Sequence, residues 1–205
     1  MELTTEWYTY KNAIDSATCT KIIELANETF EVATIRDSDG KDIKESQSGV
    51  DPRKTRISDI AWSNDQWLID LIWPYMLEAN EQAGWNYDIR AVESIQITRY
   101  KEGNFYHFHR DGRSDSFSTY NNPENKFLHG HLRKLSMCIV LNDDYEEGDF
   151  QFSVLCANGG AATHTPPLTA GSIIVFPSFM MHRVTPVTKG TRYSLVAWFV
   201  GPPFK

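Results

Sequence analysis

The 205-residue chain has only three cysteines, Cys19, Cys138 and Cys156. An odd, scattered set without a CxxC spacing indicates neither a thiolate zinc site nor a disulfide framework, so the three are expected to be buried apolar side chains. Long apolar runs are missing too: none approaches the ~20 residues that span a bilayer. The opening MELTTEWYTYK lacks the basic start and apolar stretch of a signal peptide. A cytoplasmic protein without a membrane partner is therefore the expectation. Positive charge is in deficit, since 27 acidic residues against 20 lysines and arginines leave a net charge of −7. That balance argues against nucleic acid as a partner of the whole surface, because phosphate contact needs local positive charge, and leaves open only a local patch.

What is present fits one core. A hydrophobic content of 41% and this length predict a single domain over 1–205, with a helical N-terminal part over about 1–90 and a β-core over about 92–202. Asp15 or Ser16 can cap a helix to about Asn27, with Ile22, Ile23 and Ala26 at helical spacing. A second helix is predicted from Asn64 or Asp65 to about Gln82. Its stripe of Leu68, Leu71, Ile72, Tyr75, Met76 and Ala79 reads as sheet-packing core, Gly84 lies just beyond its end, and Pro74 should kink or divide it. Short strands follow at about 92–100, 105–109, 134–142, 149–154, 170–176, 182–187 and 192–200. Turn clusters such as Asn142-Asp143-Asp144, Asn158-Gly159-Gly160 and Pro166-Pro167 separate them, a pattern that predicts a β-sandwich or jelly roll. There is no internal repeat or linker. Residues 41–56, KDIKESQSGVDPRKTR, read as a solvated loop, the alternative being a mobile cover for a substrate. Residues 112–133 form the longest stretch without periodicity and are expected to make a substrate lid.

The chemistry lies among the strands. Side chains two apart in a strand share a face, so His109 and Asp111 can converge on one ion while Arg110 faces elsewhere. His182 must arrive from a distant segment. It heads the run HRVTPVTKGTRYSLVAW, which reads as two strands around a Lys189-Gly190 turn. Two imidazoles and one carboxylate can occupy one face of an iron(II) ion, leaving the opposite positions open for a substrate-like ligand and dioxygen. Counting along the hairpin brings Arg192 back near His182, where a guanidinium can fork onto a carboxylate beside the metal. Ser194, on the same strand face, can add a hydroxyl donor. His107 shares strand parity with His109, but its use would leave Asp111 without a role. His129 and His131 sit in a polar loop, and His164 beside prolines reads as surface.

The runs YKEGNFYHFHRD, LNDDYEEGDFQF and GSIIVFPSFMMHRVTPVTKGTRYSLVAWFVGP resemble the prolyl 4-hydroxylase-like branch of the iron(II)/2-oxoglutarate-dependent dioxygenases. The likeness covers about residues 92 to 202 and, in outline, the helical part. It implies an α+β, mainly β chain: a double-stranded β-helix of the jelly-roll or cupin type with supporting N-terminal helices. By motif, His109, Asp111 and His182 match the iron ligands, and Arg192 matches the residue that binds the far carboxylate of 2-oxoglutarate. Tyr100 matches a tyrosine that hydrogen-bonds the same carboxylate, and Tyr106 would sit near the cosubstrate and the pocket mouth. The implied cofactor set is Fe(II), with 2-oxoglutarate and O2 as cosubstrates and ascorbate as a reductant. Because Asp111 is present, the resemblance implies hydroxylation and not halogenation. The chain departs from the pattern at Glu147-Gly148-Asp149, where the family often shows Gly-Gly-Glu, and at Arg192, where many prolyl 4-hydroxylases carry lysine.

Three readings follow. The first, favoured by the branch resembled, is hydroxylation of an exposed proline in a protein or peptide, which Phe105, Tyr106 and Trp198 could border. The second is the same chemistry on a free amino acid or other small metabolite. The third is a non-catalytic jelly-roll binding module.

Overall fold

The computed structural model describes residues 5–33, 55–112, 117–156 and 159–204. Residues 41–54 of the charged segment and 113–116 of the expected lid lie outside them. In chain order the first elements are β1 (Tyr8–Tyr10), α1 (Ser16–Ala26), β2 (Glu31–Val32), β3 (Arg56–Ile57), β4 (Asp59–Ser63), α2 (Gln66–Gln82) and β5 (Ala91–Val92). Strands alone follow: β6 (Ile95–Tyr100), β7 (Phe105–His109), β8 (Leu132–Val140), β9 (Tyr145–Glu147), β10 (Phe150–Leu155), β11 (Ala161–His164), β12 (Ile173–Pro177), β13 (His182–Val184), β14 (Val187–Gly190) and β15 (Arg192–Gly201).

The larger sheet runs β1-β12-β8-β15-β6-β4-β2, with β5 paired to β15, and the smaller runs β11-β10-β13-β7-β3. Period-2 alternation gives the larger sheet two buried faces. Ile95 and Ile97 of β6, Leu135, Met137 and Ile139 of β8, Ile173 and Val175 of β12, and Leu195, Ala197 and Phe199 of β15 pack with Ile22, Leu68, Ile72 and Met76 of the helices. Each of these side chains larger than alanine, fully buried, contributes roughly 1.5–3 kcal/mol. The residues out of phase with them, Tyr100, Cys138, Ile174 and Phe176, meet Phe150, Phe152, Val184 and Val187 from across the interior. The same phase carries the buried polar residues Gln96, Thr98, Ser136, Arg192 and Ser194.

Both helices begin where expected. Asp15 caps α1, its Oδ1 accepting from the Thr18 amide at 2.9 Å. Pro74 does not divide α2, which runs from Gln66 to Gln82 with Leu68, Ile72, Met76 and Ala79 buried. Tertiary burial of that stripe outweighs the roughly 3 kcal/mol that a helical proline costs. Cys19 and Cys138 are buried and Cys156 is half-buried, all three as free thiols. Among the described residues, no helix is long and apolar enough to cross a membrane.

Two expectations need correction. The N-terminal part is not only helical, because β1 to β4 lie within it; β1 and β2 close the two edges of the larger sheet by pairing with distant strands or with β4. The segment after His182 is not a hairpin either. β13 pairs with β7 and β10, β14 with β9, and β15 with β6 and β8. Gly190 has φ +79° because the chain passes the Asp144 carbonyl so closely that a Cβ there would lie 2.5 Å from the oxygen. His109 and His182, on the smaller sheet, and Arg192, on the larger, therefore come from opposite sheets and face a common interior.

Candidate metal centre and cosubstrate pocket

β7 presents His109, the turn after it presents Asp111, and β13 sets His182 directly across from His109. Asp111 Oδ1 lies 3.9 Å from His109 Nε2, and its Oδ2 lies 3.6 Å from His182 Nε2. The candidate ligand atoms of all three fall within 4.8 Å of one another, the one such His/Cys/Asp/Glu group found among the described residues.

Strict alternation would put His107 beside His109. Instead β7 is bulged: Tyr106 pairs with Val184 and His109 with His182, three residues against two. The extra residue re-aims the strand. Tyr106 thereby stacks on the His109 ring at 3.5 Å and 11°, while His107 is exposed. His129 and His164 also stay outside the cluster.

Both imidazoles are locked in one tautomer. His109 Nδ1 contacts the His107 carbonyl at 2.8 Å, and His182 Nδ1 contacts the Met180 carbonyl at 2.9 Å. A carbonyl can only accept, so each Nδ1 donates, and the Nε2 of each ring is the atom that faces Asp111. Burial, reinforced by His182, holds the His109 pKa down at about 3, leaving a neutral ring at physiological pH. Burial alone would raise Asp111, but His182, His109, Arg133 and a Ser136 hydrogen bond outweigh it and hold the carboxyl below its ordinary value. Ser136 Oγ donates to Asp111 Oδ2 at 2.6 Å and meets Ser178 Oγ at 2.9 Å. The Asp111 amide donates to the Ser178 carbonyl. Two imidazoles and a carboxylate, each oriented by a further hydrogen bond, fit a divalent transition metal with open positions.

Arg192 is 1% exposed. Its Nη1 donates to Ser194 Oγ at 3.1 Å, while Nη2 is buried with no hydrogen-bond partner. Tyr100 pairs with Arg192 in register, its ring 5.6 Å from the guanidinium. Leaving such a donor unsatisfied costs about 1–3 kcal/mol, and the carboxylate of a bound small molecule would satisfy it. Sequence reasoning missed Tyr145, which approaches from β9. A Cβ on Gly148 would lie 3.2 Å from Arg192 Cδ and 3.5 Å from Tyr145 Cε2. Glu147 and Gly148 have φ of +60° and +69°, so the first stands in left-handed backbone where the family often has glycine. A position three residues before a required glycine was the available signal; which side chain it would approach was not.

The other end of the interior was missed as well. Arg133 forks onto Glu93 with two contacts of 2.7 Å and lies 3.9 Å from the Trp198 ring. Tyr120 donates to the same carboxylate at 2.8 Å, which ties the described part of the expected lid to the sheet.

This fold and site belong to a known class. The chain is a member of the 2OG-Fe(II) oxygenase superfamily, whose model matches residues 95–200, a stretch that includes His109, Asp111, His182 and Arg192. The family works with Fe(II), 2-oxoglutarate and O2. A PKHD-type hydroxylase of Acaryochloris marina is 34% identical over 111 residues, covering 53% of this chain and 42% of that protein. The match thus spans less than half the length of that relative. In structure, the chain is similar to a prolyl hydroxylase from Trichoplax adhaerens in complex with a hypoxia inducible factor oxygen degradation domain peptide fragment. The TM-score is 0.68 at 16% identity, covering 96% of this chain and 84% of the other. A Pseudomonas putida prolyl-4-hydroxylase gives a TM-score of 0.62 at 19% identity, with coverages of 96% and 92%. At these identities the likeness concerns the fold, the expected double-stranded β-helix.

Proposed function

We propose that this chain hydroxylates a C–H bond of a prolyl residue in a protein or peptide, using Fe(II), 2-oxoglutarate and O2. The observation that carries the reading is the interior shared by the His109, Asp111 and His182 cluster and the buried Arg192 with its unfilled Nη2. Fe(II) held by the three ligands would supply oxygen activation coupled to decarboxylation of 2-oxoglutarate to succinate. Arg192 anchors the far carboxylate of the cosubstrate, with Ser194, Tyr100 and Tyr145 around it, and Ser136 keeps Asp111 oriented. Phe150 and Phe176, with ring centroids 5.4 and 4.8 Å from His182, exclude water from that side. Tyr106, stacked on His109, supplies aromatic surface suited to a proline ring. The prolyl hydroxylase names among the similar proteins support this substrate class. Free thiols support a reducing, cytoplasmic setting.

The test is succinate formation from 2-oxoglutarate by the Fe(II)-loaded protein in air, with capped proline peptides and free amino acids, each followed by mass spectrometry. A peptide-stimulated rate with gain of one oxygen is expected. Stimulation by a free amino acid alone would replace the peptide reading with a small-molecule one. Absence of both 2-oxoglutarate binding and turnover would leave a binding module. Arg192→Ala should raise the 2-oxoglutarate concentration needed for half-maximal rate at least tenfold.

A further inference from the structure

The arginines of the larger sheet that face solvent-shielded surroundings are matched to acids. Arg99 holds Asp59 with contacts of 3.0 and 2.8 Å, and Arg133 holds Glu93. Arg192 is the exception already given a role, since it faces the cosubstrate pocket. On the smaller sheet Arg183 and Arg56 have no acid partner among the described residues; Arg183 donates instead to Gln151 Oε1 at 2.8 Å, and Arg56 stands beside the centre.

Arg56 lies on β3, the edge strand of the smaller sheet, opposite Tyr106 in register. Its Nε donates to Ser58 Oγ at 2.7 Å, and its guanidinium carbon stands 4.7 Å from the Tyr106 ring centroid. That ring is the one stacked on His109, so the cation is one aromatic ring removed from a proposed metal ligand. Its charge reaches Tyr100, Tyr106 and His109. Among the described residues, no carboxylate lies within salt-bridge distance of it. The side chain is half-buried, accessible from solvent yet directed over the ring that walls the centre. The hydroxyl of Ser58 and the ring of Tyr106 hold the guanidinium, and among the described residues no partner takes its Nη edge, which suits a planar, bidentate anion. In a chain of net charge −7, a cation with no acid partner among the described residues presents local attraction against the overall field.

We propose that Arg56 is the substrate-recognition cation of this centre and that the substrate carries a carboxylate, distinct from the cosubstrate's, which Arg56 grips beside Tyr106. The proposal rests on the hydroxylase reading above and narrows its substrate class. Two sources share the chemistry: an acidic side chain next to the target residue of a peptide, and the α-carboxylate of a free amino acid.

Calorimetric titration of the anaerobic Fe(II)- and 2-oxoglutarate-loaded protein tests the proposal without requiring turnover. The probes are capped proline tripeptides with Glu or Gln flanking the proline, and free proline against prolinamide. The carboxylate-bearing member of at least one pair should bind ten times more tightly than its amide, and which pair does so identifies the source. Arg56→Gln should abolish that preference, Arg56→Lys should keep part of it, and Arg56→Glu should reverse it in favour of a lysine-flanked peptide. Equal binding of acid and amide, absence of binding by every carboxylate probe, or a preference that survives Arg56→Gln would each overturn the assignment. Failure of the wild-type protein to bind 2-oxoglutarate at all would instead strike the underlying hydroxylase reading.

Discussion

On β8 the side chains of Leu135, Met137 and Ile139 pack with the helices, whereas Ser136 and Cys138, one residue out of phase, face the interior of the candidate metal centre. β15 repeats the division, with Leu195, Ala197 and Phe199 on one side and Arg192 and Ser194 on the other. The helix-facing set is apolar without exception, and the interior set mixes aromatics with buried hydroxyls and a cation. Adjacent residues on one strand thus have separate jobs. The helix face supplies burial, which is tolerant of polar requirements only because it has none; the interior face leaves polar groups under-satisfied so that ligands can complete them.

Substitutions on the two faces should therefore fail in different ways. The largest effect is expected at Asp111→Ala, which removes the charged ligand: succinate production should drop to the rate of the protein stripped by chelator, while the circular dichroism spectrum keeps its β-rich form. Retained turnover would break the assignment of ligands. Leu195→Ala, on the other face, should cost about 2–5 kcal/mol in chemical denaturation while the folded fraction binds metal with unchanged affinity. A loss of metal binding without loss of stability would erase the distinction between the faces. The smallest effect is expected at Glu147→Gly, which relieves left-handed backbone and should stabilise the fold by about 1 kcal/mol, read as a rise in Tm with the 2-oxoglutarate requirement unchanged.

Local periodicity made part of this legible. The spacing of His109 and Asp111, the stripe of α2, the Asp15 cap and the strand at 105–109 all follow from rules that act over a few residues. Nonlocal pairing was not legible. Arg192 was expected near His182 through a hairpin, yet the two face one another from different sheets, because β14 leaves to pair with β9. The bulge that turns Tyr106 onto His109 breaks the very alternation used to read the strand. Tyr145, Glu93 and Arg56 carry no motif, and their placement depends on chain segments that approach the centre from far along the sequence. β1, whose partner β12 lies at the other end of the chain, went unseen for the same reason.

The unfilled Nη2 of Arg192 also bears on how long the molecule survives. With the cosubstrate anchored there as proposed, a ligand at a hundred times its Kd adds about 2.7 kcal/mol to the folded state. Transient opening, and with it attack by proteases, would then become rarer as 2-oxoglutarate accumulates. The amount of enzyme present would follow the supply of the metabolite it consumes, with no separate regulator in between.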